Sequence, residues 1–260
     1  MKKSKTNLPS VVLIGSGNVA TQLGLELKEK GFAIAQVYSP KSSHASKLAD
    51  ILKTHAVSSL KKIDTSKDLY IIAVKDDSIV EIAKTLRLGS KLVVHTSGSV
   101  KMDILKSISE NIGVFYPLQT FSKDRIPVWK QIPLCLESNS AEGKKLLAGV
   151  AMKISDEIAF IESDARKQLH LAAVFANNFS NHMYVLAEGL LKKQKLPFRL
   201  LIPLILETSR KAAEMGPQKA QTGPALRSDA KTLKAHLKML EGNAELHELY
   251  ALISKSIQGR

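Results

Sequence analysis

The sequence predicts an α/β protein, a doubly wound parallel sheet followed by a smaller all-helical C-terminal domain. Three observations predict it. Short apolar and β-branched runs alternate with helical patterns from residue 11 to residue 163. A glycine pair, Gly15 and Gly17, stands between the first run and the first helix. After Ser163 no stretch has a strand pattern, and helical segments are broken by Gly216-Pro217 and Gly223-Pro224.

The elements follow in order. "VVLI" (11–14) reads as a buried strand and 18–30 as a helix, with Leu23, Leu25 and Leu27 among polar residues and Gly31 ending it. "AIAQVYS" (33–39) is a strand and "HASKLADILKTH" (44–55) a helix. "LYIIAV" (69–74) and "SIVEIAKTL" (78–86) repeat the pair, as do "KLVVHTS" (91–97) and "KMDILKSIS" (101–109). "IGVFYPL" (112–118) is the next strand. "IPLCLES" (132–138) and "EIAFIES" (157–163) are strands around a helix near 141–153. Beyond them come one long helix over 165–194 and further helices at 199–214, 227–240 and 244–257. The expected domains are 1–162 and 163–260.

Composition narrows the class. The chain has 260 residues, is 44% hydrophobic and carries a net charge of +14. That is enough apolar material for a substantial core. Cys135 is the single cysteine, which excludes a disulfide framework and a cysteine-held zinc, and no metal site is expected. The lysines are scattered with few aromatics among them, so a solvated surface or attraction of an anionic cofactor fits better than a nucleic-acid groove. The start, "MKKSKTNLPSVVLIG", imitates a signal peptide, but cleavage there would destroy the first strand. "LLIPLIL" (200–206) is too short to cross a membrane. A cytoplasmic protein without membrane or nucleic-acid partners is expected.

The glycine turn carries the first functional signal. In "LIGSGNVA", Gly15 allows the tight turn, and Gly17 lets the backbone approach a pyrophosphate. Ser16, Gly17, Asn18 and Val19 lead into the helix, whose free N–H groups and dipole favour an anion. Ala20 stands at the third place of G-x-G-x-x-G, where a small residue suffices. A strand–helix turn without ligand is the alternative. At the end of the second strand an NAD site usually offers an acid for the ribose. Here "VYSPKSSH" (37–44) has none and instead gathers Ser39, Lys41, Ser42 and Ser43. Hydroxyls and an ammonium suit a 2′-phosphate, so NADP(H) is the expected cofactor. The other reading is a polar turn and helix cap.

In such a fold, ligands lie outside the carboxyl ends of the strands. Val74 and Lys75 are expected to run under the cofactor, with Thr96 beside it. His95, Ser97, Tyr116 and Gln119 are candidates for proton transfer or substrate contact, although His95 also suits a packed strand end. No tyrosine is followed four residues later by lysine, so the short-chain dehydrogenase pair is absent.

Together "LIGSGNVA", "HTSGSV", "FYPLQTFS", "LHLAAVFANNFSNHMY" and "QTGPALRSD" resemble the Rossmann-like NADP-oxidoreductase family carrying the domain of unknown function 2520, in its Bacteroides-type version. The likeness spans about residues 10–257. The wider relatives are pyrroline-5-carboxylate reductase, prephenate dehydrogenase, F420-dependent NADP reductase and 3-hydroxyacid dehydrogenases. It implies a Rossmann domain and a helical domain like that of 6-phosphogluconate dehydrogenase, often dimerising. Many members carry His at the place of Tyr116. Many have Arg-Gly-Asp where this chain has Arg227-Ser228-Asp229, so the turn here is expected not to need a positive φ. The Lys–Asn pair of related hydroxyacid dehydrogenases is not reproduced, since Val174 stands four residues before Asn178.

The helical half adds a second constellation. At about 100° per residue, His170, Asn177 and Asn181 fall on one helix face. Such a row can hold a substrate or form a buried network or dimer contact. In "TGPALRSD" (222–229), Arg227 can clamp a carboxylate or phosphate, with Asp229 orienting it and Thr222 nearby. A structural Arg–Asp pair and helix cap is the alternative. His236 lies further along. These readings converge on an NADP(H)-dependent oxidoreductase. A hydride would pass to or from a small carbonyl, imine or alcohol in the interdomain cleft, with His170, Asn177, Arg227 and His95 as catalytic candidates. A non-catalytic NADP(H)-binding sensor is the other class. The apolar excess at Phe179, Met183, Leu186, Leu190 and Ile202 predicts a homodimer.

Overall fold

The computed structural model describes residues 8–259. The basic opening of the rejected leader, 1–7, lies outside the described residues. The strands are β1 (Val11–Ile14), β2 (Ile34–Tyr38), β3 (His55–Val57), β4 (Leu69–Ile72), β5 (Leu92–His95), β6 (Ile112–Pro117), β7 (Leu134–Ser138) and β8 (Ile158–Phe160). They form one sheet in the order β3-β2-β1-β4-β5-β6-β7-β8. The order reverses between β1 and β4, which is where nucleotide crevices open in doubly wound sheets.

Alternating side chains show the two covered faces. Val11 and Leu13 of β1, with Leu69 and Ile71 of β4, join one apolar cluster. Val12, Ile14, Tyr70 and Ile72 point the other way into a second. The first cluster takes Leu23 and Leu27 of α1 (Asn18–Glu29), Leu48 and Leu52 of α2 (Ser42–Leu52), and Ile79 of α3 (Asp76–Thr85) lies in the second. Leu147 and Val150 of α4 (Ala141–Ile154) return to the first. Burial on both faces is why these strands read as unbroken apolar runs.

Ala20 is fully buried on α1, and Gly24 follows one turn later. A Cβ at Gly24 would lie 2.7 Å from Leu13 Cδ1 and 3.0 Å from Leu52 Cδ1. The close approach of helix and strand therefore falls at Gly24, with Ala20 beside it.

Three local expectations are corrected. The helix expected over 44–55 stops at Leu52, because Lys53 takes a left-handed conformation (φ 51°) and sends the chain into β3. That strand is a three-residue edge and leaves little pattern. The helix expected over 101–109 is a 3₁₀ segment, Met102–Ser107. The pair β6·β7 is antiparallel, with Tyr116 opposite Cys135 and Val114 opposite Glu137. No long crossover helix joins these two strands, so the chain folds back directly, whereas a parallel partner would need a crossover. β8, reached through α4, is parallel to β7 again.

Beyond the sheet come α5 (Ser163–Ala173), α6 (Ser180–Lys193), α7 (Ile202–Met215), α8 (Pro217–Ala220), α9 (Ala230–Met239) and α10 (Ala244–Gln258). The single helix expected over 165–194 is interrupted by a π-helical turn at Val174–Phe179, whose hydrogen bonds span five residues. The last expected helix but one begins at Ala230, since Ser228 has φ 52°. The turn at Arg227-Ser228-Asp229 thus does use the positive-φ region, contrary to expectation, with serine carrying the cost that glycine avoids.

The elements change from strand to helix at Ser163, while the chain divides into two compact units between His182 and Met183. Helix α5 thus belongs with the sheet. In the second unit, Ala225 and Leu240 are the buried apolar side chains among the described residues. No described helix is long and apolar enough to cross a membrane.

Candidate functional site

The turn after β1 is shaped for close backbone contact. Gly15 has φ 136°, and a Cβ there would collide with the Ala73 carbonyl at the end of β4. Only glycine satisfies both constraints. A Cβ at Gly17 would meet nothing within 4 Å, so the space over the turn is open. Gly17 is the N-cap of α1 and provides no side-chain cap, which leaves first-turn N–H groups for a ligand. These residues fit a dinucleotide pyrophosphate. Asn18 is committed elsewhere, since its amide donates to the Phe121 carbonyl at 2.8 Å. Gln22 likewise donates to the Ser122 carbonyl, so α1 holds the segment after β6 in place. Val19 packs against the core.

At the end of β2, Ser39 is buried and accepts a hydrogen bond from the Ser16 hydroxyl at 3.0 Å. This bond joins the glycine turn to the β2 end. Lys41 is the N-cap of α2, and Ser42 opens the helix, both exposed. The first turn of α2 has no acidic residue and no side-chain cap. At the end of β4, Val74 is half-buried and Lys75 is the exposed N-cap of α3.

His95 ends β5 and is wholly buried. The Ser97 N–H donates to its Nδ1 at 3.2 Å, which leaves the ring proton on Nε2. Burial, followed by the charge of Arg166, pushes its pKa down to about 4. It is a neutral, packed histidine. Thr96 is half-buried, and its N–H is taken by the Ile72 carbonyl. The Ser97 hydroxyl accepts from the N–H groups of Ser99 and Val100, so it shapes its own loop. Ser99 in turn donates to Asp76 at the start of α3.

Two expected residues do meet. The Tyr116 hydroxyl, at the end of β6, lies 3.0 Å from His170 Nδ1 on α5. Burial foremost pushes the Tyr116 phenol up to about 12, so it stays protonated. Gly98 fits against both rings, since a Cβ there would lie 2.6 Å from His170 Nδ1 and 2.8 Å from Tyr116 Cζ. Gln119 is exposed and accepts from the Thr120 N–H.

Beneath this pair is a charged knot that the sequence reading missed. Arg166 is completely buried and ion-paired with Glu137 of β7. Its Nη2 also donates to the Val100 carbonyl at 2.6 Å and to Ser163 Oγ at 3.2 Å. The Ser163 hydroxyl donates to Glu137 and accepts from the Met102 N–H. In "SDARKQLH" nothing separates Arg166 from Lys167. No sequence signal marks it, because the register that sets Glu137 on the same face as Tyr116 exists only in the folded, antiparallel pair.

Other expected groupings do not form. The π turn breaks the constant 100° step on which the shared face of His170, Asn177 and Asn181 rested. His170 is half-buried while both asparagines are exposed, and no hydrogen bond among the described residues links them. Asp229 does not hold Arg227. Its carboxylate caps α9 by accepting from the Thr232 N–H at 3.1 Å and the Thr232 hydroxyl at 2.8 Å. Those bonds hold its pKa below the usual carboxylate range. Thr222 is exposed, and its carbonyl accepts from Gln221. His236 pairs with Tyr250 of α10 at 2.8 Å, within the second unit.

A doubly wound sheet, an open glycine turn at its switch point and a polar pair at the same strand ends define a Rossmann-type dinucleotide-binding protein. Comparison with known proteins takes this further. Residues 10–98 match the family described as NADP oxidoreductase coenzyme F420-dependent, and residues 132–257 match the domain of unknown function DUF2520. A crystal structure of a candidate NADP oxidoreductase from Bacteroides fragilis is 42% identical, covering 97% of this chain and 98% of that one, with TM-score 0.91. A Thermotoga maritima protein is 23% identical over 96% of this chain and 98% of its own, with TM-score 0.80. An imine reductase from Myxococcus stipitatus, solved with NADP+, shares the fold at 15% identity and TM-score 0.65, covering 96% and 92%. No curated protein matches the chain. The chain belongs to the Rossmann-type NADP oxidoreductases carrying DUF2520.

Proposed function

We propose that the protein is an NADP(H)-dependent oxidoreductase acting on a small carbonyl, imine or alcohol. The observation that carries this reading is the Tyr116–His170 pair standing at the same carboxyl ends of the strands as the open glycine turn. Gly15, Ser16 and Gly17 would hold the pyrophosphate, with Val74, Lys75 and Thr96 alongside. Lys41, Ser42 and the uncapped start of α2 would hold the 2′-phosphate. When bound, the cofactor supplies or accepts the hydride. The proton is then the task of this chain.

His170 is the more exposed member of the pair and carries the proton at Nε2. Tyr116 fixes the ring through Nδ1. With neutral imidazole holding its hydrogen on Nδ1, Nδ1–H donates to the phenol oxygen and Nε2 is bare, ready to accept a proton. With imidazolium, Nδ1–H donates to the phenol oxygen, and Nε2–H can pass to the substrate nitrogen or oxygen. His95, buried and neutral, supports the loop. Arg227, in the helical unit, is exposed and has no ion pair among the described residues, so its guanidinium donors are free to take an anion. Asn177, Asn181, Ser97, Gln119 and Thr222 have no assigned step.

We further propose a homodimer through the helical unit. Leu204 and Leu206 are 62% and 63% exposed, and Leu190 and Ile202 are also exposed. Met183, Leu186 and Leu190 line one side of an apolar groove of about 390 Å³, with Leu249 and Ile253 on the other. A helical unit with so little buried surface needs a partner to cover it.

The test is NADPH titration followed by a metabolite screen reading NADPH absorbance. Saturable binding with turnover of a carbonyl or imine supports the reading. Binding without turnover of any substrate would point to a sensor, and no binding would remove both.

A further inference from the structure

The Arg166–Glu137 knot has no part in the function proposed above, yet its placement relates directly to the proton pair. Arg166 and His170 are one turn apart on the same face of α5. Four helical residues rise about 6 Å. On the sheet, Glu137 is directly opposite Val114, and Tyr116 is two residues further along β6. Two strand residues rise about 6.8 Å. Helix and strand are thus nearly in step. When Arg166 reaches Glu137, His170 falls beside Tyr116.

The same helix face holds a second element. Arg166 Nη2 takes the Val100 carbonyl, and the His170 ring sits against Gly98 two residues earlier. The loop 97–101 is therefore clamped at two points by two side chains of α5. Ser163 closes the arrangement by bonding Glu137 and the Met102 N–H. Only a planar fork with several donors can serve Glu137, Val100 and Ser163 at once, and a lysine ammonium cannot reproduce that reach. Burying a charge pair is a poor way to gain stability, since apolar replacements often do as well. The geometry it fixes is the more economical reason for its presence.

We propose that Arg166 is the positioning residue of the proton-transfer pair, fastening α5 and the 97–101 loop to β7 so that His170 Nδ1 meets the Tyr116 hydroxyl. The proposal rests on the reading of His170 as the proton-carrying group, but its test does not need a substrate. The full-length protein is labelled with ¹⁵N-histidine, and long-range ¹H–¹⁵N correlation reads the His170 tautomer, assigned with His170→Gln. Tyr116→Phe supplies the reference spectrum of a released ring. The variants are Arg166→Lys, which keeps the charge, and Arg166→Met with Glu137→Met, which removes both charges and avoids an unpaired buried carboxylate. Circular dichroism checks that they fold, and NADPH titration checks the cofactor site.

In both variants the His170 signal moves to the Tyr116→Phe position, while saturable NADPH binding is kept, because Gly15, Ser16 and Gly17 touch neither Arg166 nor Glu137 in the bonds described. A folded variant of either kind with the wild-type His170 signal would overturn the proposal. Failure of the wild-type protein to bind NADPH would instead remove the functional reading, leaving the tautomer result to stand by itself.

Discussion

The Tyr116 hydroxyl and His170 Nδ1 are 3.0 Å apart, and the two rings meet edge to face with centroids 5.9 Å apart. One residue ends a strand and the other lies on the first helix after the sheet, so the pair exists only in the folded chain. General acid–base groups contribute about 10²–10⁴ in rate. His170→Gln should therefore lower turnover about a hundredfold or more. Tyr116→Phe should cost about fivefold, from a hydrogen bond of roughly 1 kcal/mol. Steady-state kinetics on the substrate found by screening reads both, and NADPH affinity should not change. Wild-type rates in both variants would exclude the pair from the chemistry.

Cofactor choice is read at the end of β2. NADPH should bind about tenfold or more tightly than NADH, as one net charge-assisted contact of roughly 1.5–3 kcal/mol implies. Ser39→Asp should weaken NADPH through like charge and spare NADH, since the carboxylate can take the Ser16 hydroxyl and a ribose hydroxyl. Calorimetry with both cofactors decides it. Equal wild-type affinities would make 37–44 a polar turn and nothing more.

Gly15 has no tolerance for a side chain. Gly15→Ala places a methyl against the Ala73 carbonyl at a φ of 136°. Strain of this kind costs about 1–3 kcal/mol before any steric displacement. The variant should melt several degrees lower and lose NADPH binding. A stable, binding-competent Gly15→Ala protein would mean that the turn differs from the one described.

How far the sequence could be read follows from what each feature depends on. The central strands of the sheet were legible because they are buried on both faces and leave apolar runs, whereas the exposed three-residue edge β3 was not. The glycine turn was legible because its constraint is local. Tyr116 and His170 were visible as separate candidates, but their meeting depends on β6 and α5 packing together. The Arg166 knot was invisible because Arg166 stands next to Lys167 and nothing local distinguishes a buried cation from a solvated one. The asparagine row failed for another reason. Its face was computed with a constant helical step, and the π turn at Val174–Phe179 does not keep that step.

His95 makes the protein acid-sensitive. Its folded pKa is about 4, against 6.5 for a free side chain, so the unfolded state binds more protons between these values. Stability then rises with pH from about 4 to 6.5 and is lost as pH falls through that window. The full effect is about 3 kcal/mol. Urea unfolding at pH 7 and pH 4.5 should show the loss, and His95→Gln should reduce it. An equal slope in the variant would place the sensitivity elsewhere.

The helical unit should associate. Light scattering at micromolar concentration should give twice the chain mass of 28.4 kDa. Leu204→Asp with Leu206→Asp should shift it toward the single-chain mass by putting charge into an apolar contact. A wild-type monomer would refute the dimer.

Gly24 bears on what a fingerprint is. The room that lets α1 come close to β1 and α2 lies one turn beyond the position where the motif's last glycine is sought. Positions 20 and 24 lie on the same side of the helix, so the requirement is for small total volume on that side, not for a letter at one index. A search by spelling marks such a turn as defective, whereas a search by the space available along the helix would accept it.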